Sequence, residues 1–297
     1  MKIVVTGGTG FIGKPVVNQL LNQGHEIYVI TRKPIAYQNK TSVRFVQGNL
    51  NDFNSMSSIF KEVKPQILVH LAWEGLPDYS LKVSRQNLDY GIEVFSLAAE
   101  SGCSAIVSTG SCWEYESRKG QISEQSKLNS SAFFPAVKNS LRLIGNAIAH
   151  KNNIKFYWLR LFYVYGPGQR NTSLIPYILN AIKNNETISI NEPDNKNDFI
   201  FVDDIARAIA SVIEHQPDKT IFNIGSGCLT SVKDIVNSIY GLFNRKINQH
   251  ISEMFCATVN DQSDSFYADI SKICSYTDWK PEFSIETGLR ATYNHLI

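Results

Sequence analysis

Eight residues near the start of the chain, Thr6-Gly7-Gly8-Thr9-Gly10-Phe11-Ile12-Gly13, have the types and spacing to hold a dinucleotide. They follow the β-rich run Ile3-Val4-Val5-Thr6 and lead into Ile12, Val16, Val17, Leu20 and Leu21 at helical spacing. In that setting Gly7 permits a tight turn, Gly10 lets the backbone approach a pyrophosphate, and Gly13 lets helix and strand pack closely. Phe11 and Ile12 carry the loop into the helix, whose free N–H groups and positive dipole end face the phosphates. A glycine triplet alone carries little weight; the strand–loop–helix context gives it meaning.

The end of the second strand separates the two nicotinamide cofactors. An acid there binds the ribose 2′-hydroxyl of NAD. This chain has Thr31-Arg32-Lys33 instead. Arg32 can clamp a 2′-phosphate and Lys33 adds charge, which favours NADP over NAD.

These residues need a scaffold, and the hydrophobic pattern supplies one. Ile27-Tyr28-Val29-Ile30, Val43-Arg44-Phe45-Val46, Ile67-Leu68-Val69-His70-Leu71, Ala105-Ile106-Val107-Ser108 and Phe156-Tyr157-Trp158-Leu159 read as further strands. Helical patterns lie between them, notably Leu88 to Ala99 and Val137 to Ala149. Alternating strands and helices predict an α/β fold, a doubly wound parallel Rossmann sheet. After Gly166-Pro167-Gly168 the rhythm becomes irregular, with helical patterns near 204–214 and 231–243. The expected division is a nucleotide-binding domain over 1–165 and a smaller α/β substrate lobe over 166–297. The chain is expected to return to the sheet near 198–225.

Composition narrows the function classes. A chain of 297 residues can bury a large core. Its net charge of +2 and lack of a basic run give no footprint for nucleic acid. No apolar stretch spans a bilayer and the N-terminus reads as no signal peptide, so a cytoplasmic protein is expected. Cys103, Cys112, Cys228, Cys256 and Cys274 read as free thiols. Neither they nor the six histidines fall at metal-ligand spacing, and no metal is expected.

Further motifs accompany the glycine loop. They are Gly48-Asn49-Leu50, His70-Leu71-Ala72, Asn87 in a long helix and Tyr163-Val164-Tyr165-Gly166-Pro167-Gly168. Later come Asp198-Phe199-Ile200-Phe201-Val202-Asp203-Asp204, Asn223-Ile224-Gly225-Ser226-Gly227 and Trp279-Lys280-Pro281. In this order they resemble the extended short-chain dehydrogenase/reductases over nearly the whole chain. The closer likeness is to the NAD(P)-dependent epimerase/dehydratase branch, which acts on nucleotide-linked sugars, and within it to the 4-ketoreductases of deoxyhexoses.

The resemblance implies that Asn49, Leu50, Leu71 and Ala72 pass the cofactor, and that Trp73, Cys112, Tyr163 and Asn197 border the substrate. It implies catalysis by Ser or Thr, Tyr and Lys. Ser111, four residues before Tyr115, matches the first and would hold the sugar oxygen. Lys138 matches the last and would bind the nicotinamide ribose and lower the pKa of the phenol. Tyrosine is expected at 134 as general acid and base, yet the residue is Phe134. Cys112-Trp113 replaces the Asp-Glu pair of the dehydratases, which argues against dehydration. Asn197 and, by alignment, Asn260 stand where arginines usually grip the substrate diphosphate. A homodimer is implied through the helices carrying Asn87 and Lys138.

Three readings of Phe134 follow. The first is a working enzyme with a displaced proton donor, drawn from Tyr115, Tyr163, Tyr165, Cys112, Glu114 or a water held by Ser111 and Lys138. The second is an NADP-binding sensor or partner subunit without turnover. The third is a tyrosine-to-phenylalanine substitution made to trap a substrate complex.

Overall fold

A computed structural model describes residues 1–33, 42–117, 119–190, 192–244 and 265–296. In chain order its first strands are β1 (Lys2–Thr6), β2 (Glu26–Thr31), β3 (Val43–Gln47), β4 (Ile67–His70), β5 (Ala105–Ser111), β6 (Gly120–Ile122) and β7 (Lys155–Leu161). After these come β8 (Tyr163–Tyr165), β9 (Lys196–Asn197), β10 (Phe199–Phe201), β11 (Ile221–Ile224), β12 (Thr230–Ser231) and β13 (Phe266–Ala268). The long helices are α1 (Gly13–Asn22), α2 (Phe53–Val63), α3 (Leu81–Glu100), α4 (Phe133–Lys151), α5 (Leu174–Asn184), α6 (Val202–His215) and α7 (Val232–Leu242). Two more helices, Ser271–Tyr276 and Ile285–Leu296, end the described chain.

Seven parallel strands form one sheet in the order β11-β7-β5-β4-β1-β2-β3. Strand alternation sends Ile3 and Val5 to one face and Val4 to the other. On the first face they meet Val16 and Leu20 of α1 and Ile205 and Ile209 of α6. On the second, Val4 joins Met56 and Phe60 of α2, Phe95 of α3 and Leu141 of α4. Both faces are covered, as buried parallel strands require. The order reverses at β1, which lies between β2 and β4, and a crevice opens there beyond the strands' carboxyl ends.

The smaller part carries a mixed four-stranded sheet, β12-β9-β13-β6, and the pair β10-β8. Ile178 and Leu179 of α5, Ile235 and Val236 of α7 and Leu289 form its apolar centre. Helix α2 lies outside the sequence expectations. Its apolar face is Met56, Ile59, Phe60 and Val63, and the Asp52 carboxylate caps it by accepting from Ser55 N at 3.1 Å. Among the described residues no helix is long and apolar enough to cross a membrane.

One carboxylate ties two sequence motifs to strand β13. Asp198 is fully buried and accepts hydrogen bonds from Ser226 N (2.6 Å), Ser226 Oγ (2.7 Å), Gly227 N (3.0 Å) and Ala268 N (3.0 Å). Burial pushes its pKa up, and these four donors oppose that rise. A Cβ on Gly225 would come within 2.5 Å of Asp198 Oδ2, so the turn must be bare there. Truncating Asp198 strands these donors, so Asp198→Ala is expected to destabilise the fold by about 2–4 kcal/mol. Asp198→Asn, which keeps an acceptor, is expected to fall between it and the unmodified chain in a urea unfolding midpoint.

Candidate active site

The crevice at the end of β1 is a cleft of about 1200 Å³. Gly7, Gly10, Phe11, Ile12, Gly13, Thr31, Arg32, Lys33, Leu50, Leu71, Ala72 and Trp73 all line it. Of the residues expected at a cofactor, Asn49 and Lys138 lie outside this lining. The loop fits a dinucleotide on its own geometry. Gly7 has φ +74°, and a Cβ there would meet the Ala72 backbone at 2.7 Å. A Cβ on Gly13 would sit 2.0 Å from Gly7 O, so α1 presses directly on the loop. Helix α1 has no side-chain cap and no acid in its first turn, leaving its N-terminal N–H groups to a phosphate.

At the far end of the cleft, Thr31 Oγ1 bonds the Lys33 backbone and sets the turn that exposes Arg32. Arg32 forms an ion pair across the cleft mouth with Glu74 at 3.2 Å. The Glu74 backbone is held by Asn87, whose Oδ1 accepts from Glu74 N at 2.7 Å and whose Nδ2 donates to Glu74 O at 3.0 Å.

Phe134 and Lys138 gather behind Trp73, and Ser111 ends β5 two residues after the Thr109 carbonyl that Lys138 bonds. Phe134 and Pro135 open α4, where proline is tolerated, and Lys138 follows Phe134 by one helical turn. The Lys138 ammonium donates to Thr109 O at 2.8 Å and lies 4.0 Å from the Trp73 ring centroid. Among the described residues no carboxylate is within ion-pair distance of it. Burial brings its pKa down to about 8, and the charge of Glu114 opposes that fall. The Phe134 ring is buried and packs on Trp73 and Tyr79 at 5.2 Å each and on Trp113 at 6.0 Å. Sequence reading missed Tyr79; nothing in its position before the helix-capping Ser80 marks it as facing Phe134.

Below Ser111 runs a buried polar chain. Glu114 accepts from Ser111 N (2.8 Å), Trp158 Nε1 (3.0 Å) and Arg160 Nε (2.8 Å). Arg160 also donates to the Tyr115 hydroxyl at 2.9 Å, and Tyr115 donates to Asn223 Oδ1 at 2.6 Å. Tyr115 is fully buried and its pKa is pushed up by that burial. Tyr165 is likewise buried, with its hydroxyl directed at Ser284 O and Ile285 O. Neither phenol is placed to donate a proton in the cleft, and Glu114 is consumed by its partners.

The remaining expected residues sit toward the small sheet. Cys112 is buried in an apolar cluster that Tyr163 packs against, and Asn197 is buried in β9, in register with Phe266. Asn260 lies outside the described residues. His70, at the end of β4, bonds Thr6 Oγ1 through Nδ1 at 2.8 Å; burial lowers its pKa to about 3, so it is neutral.

The state of Lys138 gives a stability prediction. The folded chain holds that proton only to about pH 8, against an ordinary value of 10.5. Between those values the unfolded chain binds more protons, so stability rises with pH across that window and the full penalty applies below it. Lys138→Met is therefore expected to stabilise the fold at pH 7 by about 1–3 kcal/mol. Thermal melts should show this gain shrinking as the pH approaches 10.5.

Relatives match this chain over nearly its whole length. CDP-abequose synthase of Salmonella typhimurium is 25% identical over 308 residues, covering 99% of this chain and 98% of the relative. The dTDP-4-dehydro-6-deoxyglucose reductase of Escherichia coli is 24% identical, covering 97% and 95%. In fold, the UDP-glucose 4-epimerase of Thermotoga maritima, solved with UDP-glucose, superposes with a TM-score of 0.86 at 21% identity, covering 100% of this chain and 98% of that one. MoeE5 in complex with UDP-glucuronic acid and NAD gives 0.84 at 23% identity, covering 100% and 99%. The sequence pattern of one family matches residues 3–225, from the glycine-loop strand to the Asn223-Ile224-Gly225 turn, and the chain belongs to that family, the NAD dependent epimerase/dehydratases.

Proposed function

We propose that the chain is an NADP-dependent oxidoreductase acting on a keto group of a nucleotide-activated sugar, as a 4-ketoreductase. The observation that carries this reading is Lys138. A buried ammonium without an ionic partner among the described residues costs stability. Its place behind the cleft, within reach of Thr109 O and under Trp73, suits a ribose hydroxyl and a developing oxyanion. Two relatives matching nearly the full chain carry names for the synthesis of CDP-abequose and the reduction of a dTDP-4-dehydro-6-deoxy sugar.

In this reading Arg32 and Lys33 hold the 2′-phosphate and the glycine loop holds the pyrophosphate. Bound cofactor supplies the hydride. Ser111 orients the substrate oxygen, and Trp73, Cys112, Tyr163 and Asn197 border the sugar nucleotide. Phe134 walls the pocket and moves no proton. With Tyr115, Tyr165 and Glu114 spent in the core, the donors left from the sequence are Tyr163, Cys112 and a water held by Ser111 and Lys138. Loss of general acid assistance slows such a reaction by roughly a hundred- to ten-thousand-fold.

A second reading, cofactor binding without turnover, is favoured by the closed packing of Phe134 against Trp73, Tyr79 and Trp113. One experiment separates the two. NADPH oxidation is followed with a panel of nucleotide 4-keto-6-deoxy sugars, for this chain and for Phe134→Tyr. Slow turnover by this chain, rising about a hundredfold or more in the tyrosine variant, is expected. Bound NADPH with no turnover by either protein would favour the binding role.

We also propose a homodimer through α3 and α4, where Leu81 and Leu143 expose apolar side chains. Sedimentation should give twice the chain mass, and Leu143→Glu should shift it toward the monomer.

A further inference from the structure

The two ends of the cofactor question meet at one ion pair. Among the described residues lining the cleft, Arg32, Lys33 and Arg170 are basic and Glu74 is the single acid. That acid is seated on the residue best placed to take a 2′-phosphate, at 3.2 Å. We infer that Glu74 is a specificity-determining residue for the cofactor: its carboxylate competes with a 2′-phosphate for the Arg32 guanidinium and so narrows the preference for NADP over NAD. The inference rests on reading this cleft as the dinucleotide site.

Geometry makes Glu74 the fixed partner. Asn87, itself buried, bonds both the N–H and the C=O of Glu74, and its Nδ2 also donates to Val83 O at 2.9 Å. The next residue, Gly75, has φ +83°, and a Cβ there would press on Val83 at 2.8 Å. The loop is thus held on both sides of the Glu74 side chain, which is one-quarter exposed. Arg32 is two-thirds exposed and is the side chain free to turn. A 2′-phosphate entering here must draw Arg32 from Glu74 and lie near a like charge. A 2′-hydroxyl brings no charge and can donate to the same carboxylate.

The sign and the size follow. An ion pair this exposed is worth at most about 1 kcal/mol, and relief of repulsion adds to its release. Glu74→Gln keeps the shape and an acceptor while removing the charge. NADPH and NADH dissociation constants, read from nicotinamide fluorescence without substrate, measure the effect directly. Glu74→Gln is expected to tighten NADPH by roughly three- to tenfold and to change NADH by less than about twofold. In an Arg32→Ala background the same substitution should bring a clearly smaller gain for NADPH, because the competed group is gone and only the relief of repulsion is left. Glu74→Ala serves as a second variant, with melting curves recorded for each.

An unchanged ratio of NADPH to NADH affinity in both Glu74 variants would overturn the inference. So would an equal gain with Arg32 absent, which would mark a diffuse charge effect. If no variant and no unmodified chain binds either nucleotide, the cleft reading fails and this inference fails with it, an outcome distinct from an unchanged ratio between measurable affinities.

Discussion

A carboxylate sealed from water must find partners for both oxygens, and Glu114 finds them on two neighbouring strands. It takes the Ser111 N–H at the end of β5 and, from β7, the Trp158 indole and the Arg160 guanidinium. Glu114 and Arg160 are both essentially fully buried, so each would be a large penalty without the other. The pair also sets local shape. A Cβ on Gly110 would lie 2.1 Å from Glu114 Oε1, so the strand must be bare where the carboxylate folds back. The short turn Cys112–Glu114 is pinned in consequence, with Ser111 as its cap. The position of Ser111 is therefore an electrostatic outcome more than a packing one.

That same charge reaches the other polar residue of the site. Glu114 is the group that favours the protonated form of Lys138, while burial opposes it. In the short-chain pattern the lysine charge lowers the pKa of a phenol. With Phe134 there is no phenol to act on, and in the proposed function the lysine charge serves the ribose and oxygen anions instead. The aromatic surroundings suit this. Trp73, Trp158 and Phe134 lie 4.0, 5.7 and 5.9 Å from the ammonium and give it a low-dielectric wall with negative faces.

The parts legible in the sequence are those whose physics is local. Gly10 and Gly13 are set by contacts to Gly7 O within the loop itself, and the strand–loop–helix context around them places the cleft, although the Ala72 backbone that Gly7 must clear is far off in sequence. Most strands of the large sheet were readable because each is a buried run between parallel neighbours, and β3, partly exposed at the edge, kept enough apolar residues to show. Helix α2 carried a signal that sequence reading missed: Met56, Ile59, Phe60 and Val63 stand at i, i+3, i+4 and i+7, behind the Asp52 cap. The Asp198 junction joins residues 28 and 70 positions apart, and no periodicity records such a meeting. Tyr115 and Tyr165 looked available as phenols; only their burial and their hydrogen-bond partners remove them. Tyr79 is the reverse case, a loop residue that the fold carries to the Phe134 ring.

Two consecutive residues of the cleft lining, Trp73 and Glu74, each contact a cation, one behind the cleft and one at its mouth. Trp73 covers Lys138, and Glu74 pairs with Arg32. Both belong to the loop that follows β4, and Asn87 of α3 fixes that loop through the Glu74 backbone. In the proposed function, a dinucleotide reaching from Arg32 to Lys138 would exchange contacts with both residues at once. The loop holds two positive charges in place before any ligand arrives, one by an aromatic face and one by a carboxylate. The first contact is largely shielded from salt, being buried, whereas the second is exposed and screened. Affinity at the adenosine end should then respond to ionic strength, while the nicotinamide end responds to the packing around Trp73. The asymmetry follows from where each cation sits relative to water.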